Sequence, residues 1–416
     1  MKATWHDGNR VDLLENGDTY FPRVFEAIRA ARSEVIIETF ILFEDKVGNA
    51  LLEVLVEASR RGVSVDMTVD GYGSPEFSGA YLDKLREAGV RFRVFDPRRR
   101  FLGLRTNLFR RLHRKIVVID ACIAFVGGIN FSVDQLDEHG AEAKQDYAVE
   151  VEGPAVARIH AAARKLIGVA PGRRMRSAKS MEAPGRGDCD EAGSARVAFV
   201  QRDNGRHTGD IEWHYRVAIR AARKRVLIAN AYFLPGYRLL RALRDAARRG
   251  VDVCLILQGH PDMPWVTAAT RSLYRYLLPA GVRILEYCRR PLHGKVAVVD
   301  GRWSTVGSSN LDPLSLWLNL EANVLVEDEH FATCLRDRLT TLAREHCQPV
   351  SRDGTDAGGF WSPLLGVLVF HVMRHAPRIA RWLPAHAPRL KKVAPTEPDE
   401  AMDRHDAPSP ADPRSG

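Results

Sequence analysis

The sequence predicts an α/β protein built from two similar halves. Three observations support this: a run of residues that occurs twice, a strand–helix–strand–helix order within each copy, and a composition typical of a folded soluble protein. Hydrophobic residues make up 45% and charged residues 27% of the 416 positions, which excludes disordered, collagen-like and disulfide-stapled chains. A chain of this length is too long for one ordinary domain and suits two.

The repeat begins at the end of a helix and continues through matching strands and helices. The run AIRAAR at 27–32 reappears at 218–223, and an apolar strand follows each copy. Amphipathic helices then end at Gly62 and Gly250, where glycine allows a left-handed stop. Buried-looking strands and second helices follow in the same order. Short glycine turns between strands and helices predict parallel strands covered by helices on their faces.

Composition shifts predict the domain boundaries. We expect a first domain over 8–170, a linker or loop rich in glycine and proline over 171–195, and a second domain over 196–348. Residues 349–393 mix aromatic and aliphatic side chains with arginines and lysines, which fits a membrane-interface segment or equally a terminal helix packed on the domain. The proline-rich, acidic run 394–416 predicts a disordered tail.

Charge and cysteine usage narrow the possible partners and compartment. The formal charge of +9 and the pI near 9.3 favour an anionic partner, which could be nucleic acid, a phosphorylated ligand or an acidic bilayer. Six scattered cysteines without a C-x-x-C pair argue against a zinc knuckle and favour a reducing compartment. We expect no signal peptide and no membrane-spanning helix, because no apolar run approaches about 20 residues. The basic run 91–115 fits a solvated loop and an anionic headgroup surface about equally.

One motif stands at the same point of both copies. It reads His, any residue, Lys, four residues, Asp, six residues, Gly. Its residues are His113, Lys115, Asp120 and Gly127 in the first copy and His293, Lys295, Asp300 and Gly307 in the second. A lone His-x-Lys would carry no weight, but two complete copies favour catalysis over a purely structural role.

The spacing of the motif predicts a β-hairpin. His and Lys two residues apart project to the same side of a strand, whereas the aspartate is an odd step away and lies where the strand turns. A turn at 120–121 would place His113 opposite Gly128, and a turn at 300–301 would place His293 opposite Ser308. In this position the motif aspartates, which complete the candidate catalytic set, suit a structural role better than phosphate contact.

Face-to-face pairing of the copies would bring their side chains to one pocket suited to a phosphodiester. Both lysines, Asn130 and Asn310 could bind the phosphate oxygens, and Ser308 could contact the substrate or serve only as a small residue. One imidazole could attack phosphorus while the other, protonated, supplies a proton to the leaving alkoxide. Asp146 and Glu321 follow the two motifs at comparable distances and are candidates to orient the histidines. No metal or other cofactor is expected, because the lysines already supply positive charge.

On these motifs the sequence resembles the phospholipase D superfamily over about residues 10–348, and within it bacterial cardiolipin synthases of the B type. The stretches GGINFS at 127–132, EAKQDYAVE at 142–150 and SNLDP at 309–313 support this. The resemblance implies two pseudo-symmetric α-β-α sandwich domains with mixed, mostly parallel sheets. It also implies that a phosphatidyl group passes between two phosphatidylglycerols through a phosphohistidine, with His113 as nucleophile and His293 as acid/base, although the pseudo-symmetry permits the reverse.

The expected partners are therefore phosphatidylglycerol and a membrane surface, at the cytoplasmic face of a bacterial cell membrane, without nucleic acid or an obligate protein partner. Three rival functions use parts of the same evidence. A hydrolase of the same superfamily would pass the phosphatidyl group to water. A metal-independent nuclease would use the basic charge, although no stacking stripe of aromatic residues is evident. A non-catalytic membrane-binding protein would not need both complete motifs.

Overall fold

A computed structural model describes residues 3–97, 100–101, 104–105, 111–168, 191–203, 206–259, 264–312, 315, 318–351 and 390–392. Most of the predicted linker, the C-terminal tail, most of the segment 349–393 and part of the basic run 91–115 lie outside the described residues. The proposed domain limits therefore remain predictions. Within the described ranges, no helix has the length and apolar character needed to cross a membrane.

The first half alternates strands and helices before ending in antiparallel strands. Its strands are β1 Trp5–Glu15, β2 Glu34–Thr39, β3 Ser64–Asp70, β4 Arg91–Phe95, β5 Arg100–Phe101, β6 Leu104–Arg105, β7 Lys115–Ile119, β8 Ile123–Gly127 and β9 Tyr147–Glu152. Its helices are α1 Asn16–Ala30, α2 Lys46–Arg60, α3 Gly79–Glu87 and α4 Val156–Ile167, with 3-10 turns at Val133–Gln135 and Asp137–Glu142.

The second half repeats this order. Its strands are β10 Ala195–Arg202, β11 Arg225–Asn230, β12 Asp252–Gln258, β13 Arg283–Tyr287, β14 Lys295–Val299, β15 Trp303–Gly307, β16 Glu321–Glu327, β17 Cys347–Pro349 and β18 Leu390–Lys392. Its helices are α5 Asp210–Ala221, α6 Tyr237–Arg248, α7 Pro264–Leu277 and α8 Glu329–His346, with a 3-10 turn at Leu278–Ala280.

The local chemistry explains where the helices begin and end. The Asp45 carboxylate caps α2 by accepting bonds from the backbone N–H groups of Val47 and Gly48 at 2.9 and 3.0 Å. Just after α2 and α6, Gly62 and Gly250 adopt positive φ of 94° and 88°, so the predicted glycine stops are confirmed. These stops direct each chain back toward the sheet for the next strand.

One 16-stranded sheet runs through both halves. Its order is β17-β13-β12-β11-β14-β15-β16-β10-β1-β9-β8-β7-β2-β3-β4-β18, and β5 and β6 form a separate pair. The halves join at the antiparallel pair β1–β10. The predicted α/β class with a mixed sheet in two similar halves is confirmed.

The expectation that the sheets are mostly parallel is wrong. Parallel pairing in the described sheet is confined to β2–β3–β4 and β11–β12–β13, where helices supply the crossovers. The motif strands instead belong to antiparallel hairpins, because turns too short for a crossover connect them. Sequence patterning predicted the parallel pair in each half and the antiparallel motif hairpins correctly, and only the expectation that parallel pairing predominates is wrong.

Helices cover both faces of the sheet. Alternate residues of β7 point to different cores: Val117 packs under α1 and α2, whereas Val118 packs under α4 and α8. The core under α4 and α8 contains residues from both halves, such as Ile159 of α4 and Leu335 of α8. A shared apolar core of this kind holds the two halves in one arrangement and so positions a site between them.

Candidate active site

The two motifs lie at one edge of the sheet. Lys115 and Lys295 are the first residues of β7 and β14, and each motif histidine stands just before its strand. Lys295 pairs with Asn230, the last residue of β11. The motifs therefore lie beside the carboxyl ends of the parallel strands, which is where ligands bind in open α/β sheets.

The two hairpins turn where predicted but pair one residue out of the predicted register. Cys122 N–H donates to the Ile119 carbonyl at 2.9 Å, which closes a two-residue turn. The ladder itself pairs Ile119 with Ile123, and in the second half Val299 with Trp303. One extra residue thus lies between each turn and its ladder, so the register prediction is wrong by one. Neither motif histidine belongs to the ladder.

Main-chain hydrogen bonds tie each histidine to the opposite half. His113 N–H donates to the Leu320 carbonyl at 3.0 Å, and His293 N–H donates to the Gln145 carbonyl at 2.8 Å. Leu320 and Gln145 immediately precede the two candidate carboxylates. Each segment that carries a motif is thereby paired with a segment of the other half. The motif residues of both halves therefore form one shared site.

The carboxylates follow the same crossed arrangement. Glu321 of the second half lies 3.0 Å from His113 Nδ1, and Asp146 of the first half lies 2.5 Å from His293 Nδ1. Both carboxylates are fully buried. An Nδ1–H that donates to a carboxylate leaves Nε2 with its lone pair, which is the tautomer a nucleophile or base requires.

Two buried ammonium groups stand beside these pairs. Lys115 Nζ donates to the carbonyl of His113 at 2.7 Å, and Lys295 Nζ donates to the carbonyl of His293. Burial, and for Lys115 also repulsion by the other ammonium, lowers the pKa of Lys115 to about 7 and that of Lys295 to about 8. An anion between them would relieve this repulsion.

The imidazoles and their partners titrate unequally. Burial lowers the pKa of His113 to about 4 and that of His293 well below its usual range. Burial also raises the pKa of Asp146 to about 6. For Glu321 the effect of burial is outweighed by His113, Lys115 and Ser308, so its pKa is lowered. Before substrate binds, neutral pH therefore favours neutral imidazoles, an ionised Glu321 and a less acidic Asp146.

Ser308 contacts one of the two candidate carboxylates. Its hydroxyl donates to the Glu321 carboxylate at 2.5 Å and accepts from Ala322 N–H at 3.1 Å. These hydrogen bonds place Ser308 as a partner of Glu321, a role that the sequence did not suggest, and its contact with phosphate stays a prediction. The matching position in the first half is Gly128, where an added Cβ would overlap the Asp146 carboxylate.

The two asparagines are buried beside the motifs and differ in their contacts. Asn130 Oδ1 accepts from Ile41 N–H at 3.1 Å. Asn310 Oδ1 is buried without a hydrogen-bond partner among the described residues. Because phosphate oxygens accept hydrogen bonds, the side-chain NH₂ groups of the two asparagines, and not their Oδ1 atoms, are the groups that could contact a phosphate.

Asp120 and Asp300 lie at the turn ends of the hairpins and do not reach the imidazoles. The Asp120 carboxylate accepts from the backbone N–H groups of 32–34 at 2.7–2.9 Å. Asp300 accepts from those of 223–225 at 2.8 Å. They anchor the turn to the loop that precedes β2 or β11, which is the structural position that the sequence favoured for them over phosphate contact.

Two further side chains at the site were not predicted. The Phe40 ring lies 4.9 Å from the His113 ring and 5.2 Å from Lys115 Nζ. Lys144, paired with Asp134, adds positive charge near His293. Their places in the sequence could have indicated both residues. Phe40 directly follows β2, at the end of a strand, and Lys144 lies two residues before Asp146 on an extended segment, so the two side chains project to the same side.

Comparisons with known proteins agree with this geometry. The family model described as "Cardiolipin synthase, PLD-like domain" matches residues 24–164 and 215–342. Cardiolipin synthase B of Salmonella typhi is 52% identical over 409 residues, 98% of each chain, and that of Escherichia coli is 52% identical over 396 residues, 95% of each. A phosphatidylserine synthase structure from Haemophilus influenzae shares the fold, with a TM-score of 0.62 at 14% identity over 89% of this chain and 94% of that one.

The matched segments contain both motifs and both carboxylates, and the near-complete coverage leaves neither half unmatched. The resemblance predicted from the paired motifs is therefore confirmed, and the chain belongs to the cardiolipin synthase family of phospholipase D-like proteins.

Proposed function

We propose that the protein is a phosphatidyltransferase that joins two phosphatidylglycerols to give cardiolipin and glycerol. The observation that carries this proposal is the crossed pair of histidine–carboxylate contacts, one from each half, around two buried lysines. Its 52% identical relatives bear the name cardiolipin synthase B.

The first step is capture of the donor phosphodiester by Lys115 and Lys295, assisted by Asn130 and Asn310. The anion raises the pKa values of both ammonium groups and of the imidazoles, because it opposes the burial that lowers them. The same contacts become stronger as charge develops on the non-bridging oxygens in the transition state. Binding thereby prepares the protonation states that the chemistry needs.

The second step forms the covalent intermediate. His113 Nε2 attacks phosphorus while Glu321 holds the proton on Nδ1, and the bond from phosphorus to the leaving glycerol oxygen breaks. His293, protonated on Nε2, gives that proton to the departing alkoxide, so glycerol leaves neutral. The phosphatidyl group remains on His113.

The third step reverses the roles of proton donor and acceptor. His293 Nε2, now neutral, takes the proton from a glycerol hydroxyl of the second phosphatidylglycerol, and that oxygen attacks phosphorus. The phosphorus–nitrogen bond breaks, which releases cardiolipin and restores His113. His293 is left protonated for the next cycle.

The assignment of the two histidines is supported by their unequal partners. Glu321, whose pKa is lowered, stabilises the positive charge that His113 acquires as a phosphohistidine. Burial and the charges of nearby lysines lower the pKa of His293 well below its usual range, so once protonated it gives its proton readily to the leaving alkoxide. Trapping the intermediate and mapping the phosphorylated residue tests this: we expect it on residue 113, and modification of residue 293 alone would reverse the roles.

The decisive experiment incubates the purified protein with phosphatidylglycerol liposomes and resolves the lipids by mass spectrometry. We expect cardiolipin and glycerol from wild type and none from His113→Ala. Phosphatidate without cardiolipin would instead identify a hydrolase. Degradation of plasmid DNA without lipid products would identify a nuclease, and equal turnover by both proteins would leave only a binding role.

We place the protein at the cytoplasmic face of the bacterial cell membrane as a peripheral protein. The net charge of +9 supports attraction to anionic lipid, and its proposed substrates reside in the bilayer. Cell fractionation tests this placement. We expect the protein in the membrane pellet at low salt and in the supernatant after a high-salt wash; recovery in the periplasm would contradict it.

A further inference from the structure

A basic groove between α5 and α6 has no part in the chemistry above. Arg216 and Arg220 of α5 face Arg238 and Arg241 of α6 around a cavity of about 520 Å³. Within the described part of the chain, none of these four arginines forms an ion pair or a hydrogen bond. We call these four residues and the cavity between them the arginine groove.

Nearby carboxylates balance this charge only in part. Asp245 lines the groove but pairs with Arg244 at 2.7 Å. Glu212 interacts electrostatically with Arg216 and Arg238, but it forms no ion pair with either among the described residues, and burial raises its pKa. Arg216 Nε is itself buried and lacks a hydrogen-bond partner among the described residues. Guanidinium groups of like charge held this close repel one another, so an anion in the groove would be stabilising.

The repeat shows that the fold does not require three of the four arginines; the fourth, Arg220, matches Arg29 of the first half. Counted from AIRAAR and from the Arg-Arg-Gly that ends α2 and α6, the first-half positions that match Arg216, Arg238 and Arg241 hold Phe25, Ala50 and Glu53. The helix pair α1–α2 packs in the same way as α5–α6 without them. A fifth lining residue, Arg249, is explained structurally, because it donates to carbonyls at the end of α5 just as Arg61 does at the end of α1.

The groove runs along α5 and α6, and one of its ends lies at the edge of the sheet where the reaction takes place. α6 begins soon after β11, whose last residue Asn230 pairs with the catalytic Lys295. Arg238 is the second residue of α6 and so lies at that edge. A surface bound at Arg238 would therefore lie at the edge that holds the site, whereas Arg220, at the end of α5 just before β11, lies toward the opposite edge.

We propose that the arginine groove binds the phosphate groups of anionic phospholipids and docks the protein on the membrane. Guanidinium groups suit this ligand because each presents a planar pair of donors to phosphate oxygens. The choice of lipid as ligand rests on the proposed function, since an enzyme acting on phosphatidylglycerol must bind a surface that contains it.

Vesicle sedimentation without turnover tests the proposal directly. The probe is phosphatidylcholine vesicles with about 30% phosphatidylglycerol, compared with pure phosphatidylcholine. The test variant is Arg238→Gln with Arg241→Gln. The matched control is Arg29→Gln with Arg60→Gln, which removes the same charge from exposed positions of α1 and α2. A cation near an anionic surface contributes at most about fivefold to binding, so we expect about tenfold weaker binding of the test variant at low salt and less than twofold for the control.

Equal losses of vesicle binding in the two variants, or no loss in either, would overturn the proposal. It would also be overturned if the test variant bound vesicles as wild type does but lost binding to a short DNA duplex. A second readout separates it from the proposed function. On monomeric short-chain phosphatidylglycerol we expect both variants to form product at the wild-type rate, and a tenfold slower test variant there would place these arginines in the reaction instead. If wild type makes no cardiolipin but the test variant still loses vesicle binding, the proposed function fails and the groove remains a lipid site.

Discussion

At the scale of single residues, the site is defined by charges that burial makes unfavourable. Lys115 and Lys295 are fully buried, and each spends one hydrogen bond on the carbonyl of its own motif histidine. A buried ammonium of this kind loses its proton far more readily than one in water. The empty site thus keeps positive charge at neutral pH only in part, and an anionic substrate restores it.

This arrangement makes anion binding depend on pH. The protonated lysines bind the anion, and their pKa values in the empty site are about 7 and about 8, so affinity is highest below pH 7 and falls as the pH rises through 8. Because the bound anion raises both values, binding near pH 8 takes up protons. Calorimetry with dimethyl phosphate, whose charge is constant over this range, in buffers of different ionisation enthalpy measures the uptake. Absence of proton uptake at pH 8 would contradict the lowered values.

Ser308 gives a second test at this scale. Ser308→Ala removes the donor that holds Glu321, so we expect about a tenfold lower kcat, a KM within twofold of wild type and a shifted acidic limb of the pH profile. The control is Ser304→Ala. The Ser304 hydroxyl is buried in β15, the strand that ends just before Ser308, and has no hydrogen-bond partner among the described residues. A raised KM with unchanged kcat would indicate direct contact of Ser308 with phosphate.

At the scale of elements, the motif hairpin is anchored at both ends by different residues of one motif. The histidine end is held by backbone bonds to the opposite half, whereas Asp120 holds the turn end through three backbone N–H groups and the Ser33 hydroxyl. The aspartate of the motif therefore acts on the position of the strand. Its separation from the imidazoles explains how one sequence signature can contain both catalytic and structural residues.

Asp120→Asn tests this structural role while keeping a residue type that tolerates the positive φ of 51°. We expect about 1–2 kcal/mol lower stability in urea unfolding and an unchanged kcat for the folded protein. The pKa of Asp120 is lowered in the folded state, chiefly by the backbone bonds that outweigh its burial. Its ionised form therefore stabilises the fold above the unfolded pKa, and the difference between the proteins should shrink as the pH falls below 4. Loss of kcat without loss of stability would contradict this role.

At the scale of the whole molecule, the duplication is used to make one asymmetric site. Each histidine takes its carboxylate from the other half, and a core shared by α4 and α8 holds the halves together. The pseudo-symmetry is broken at Gly128 and Ser308, and again by a buried pair, Arg114–Glu38, in the first half only. Two similar halves can therefore supply a nucleophile and an acid/base with different properties.

The crossed pairing can be observed by NMR of the imidazole nitrogens. We expect Glu321→Gln to shift the Nδ1–H resonance of His113 and leave that of His293 nearly unchanged, and Asp146→Asn to do the opposite. Assignments come from single His→Gln variants, and the control is Glu327→Gln, at the other end of β16, where Glu327 pairs with Arg196 at 2.9 Å. Shifts in the histidine of the same half would mean that the pairing is not crossed.

The sequence alone was enough to find the repeat, the α/β class, both motifs, the turn positions and both carboxylates. These are local signals: apolar periodicity, glycine stops and a spacing that occurs twice. The predominance of antiparallel pairing, the hairpin register and the contact of Ser308 with Glu321 were not accessible in this way. The register shift at Cys122 arises because the β7–β8 ladder begins with the pair Ile119–Ile123. The Ser308 hydroxyl contacts Glu321 because β16, which begins at Glu321, pairs with the strand that precedes Ser308.

What the sequence by itself determined is which side chains are available for the chemistry and that they come as two matched sets. Only the tertiary structure decided that Glu321 serves His113 and Asp146 serves His293, because that exchange requires main-chain pairing between segments about 150–200 residues apart. Pairing over such separations follows from packing of the shared core and the continuous sheet, and no local spacing encodes it.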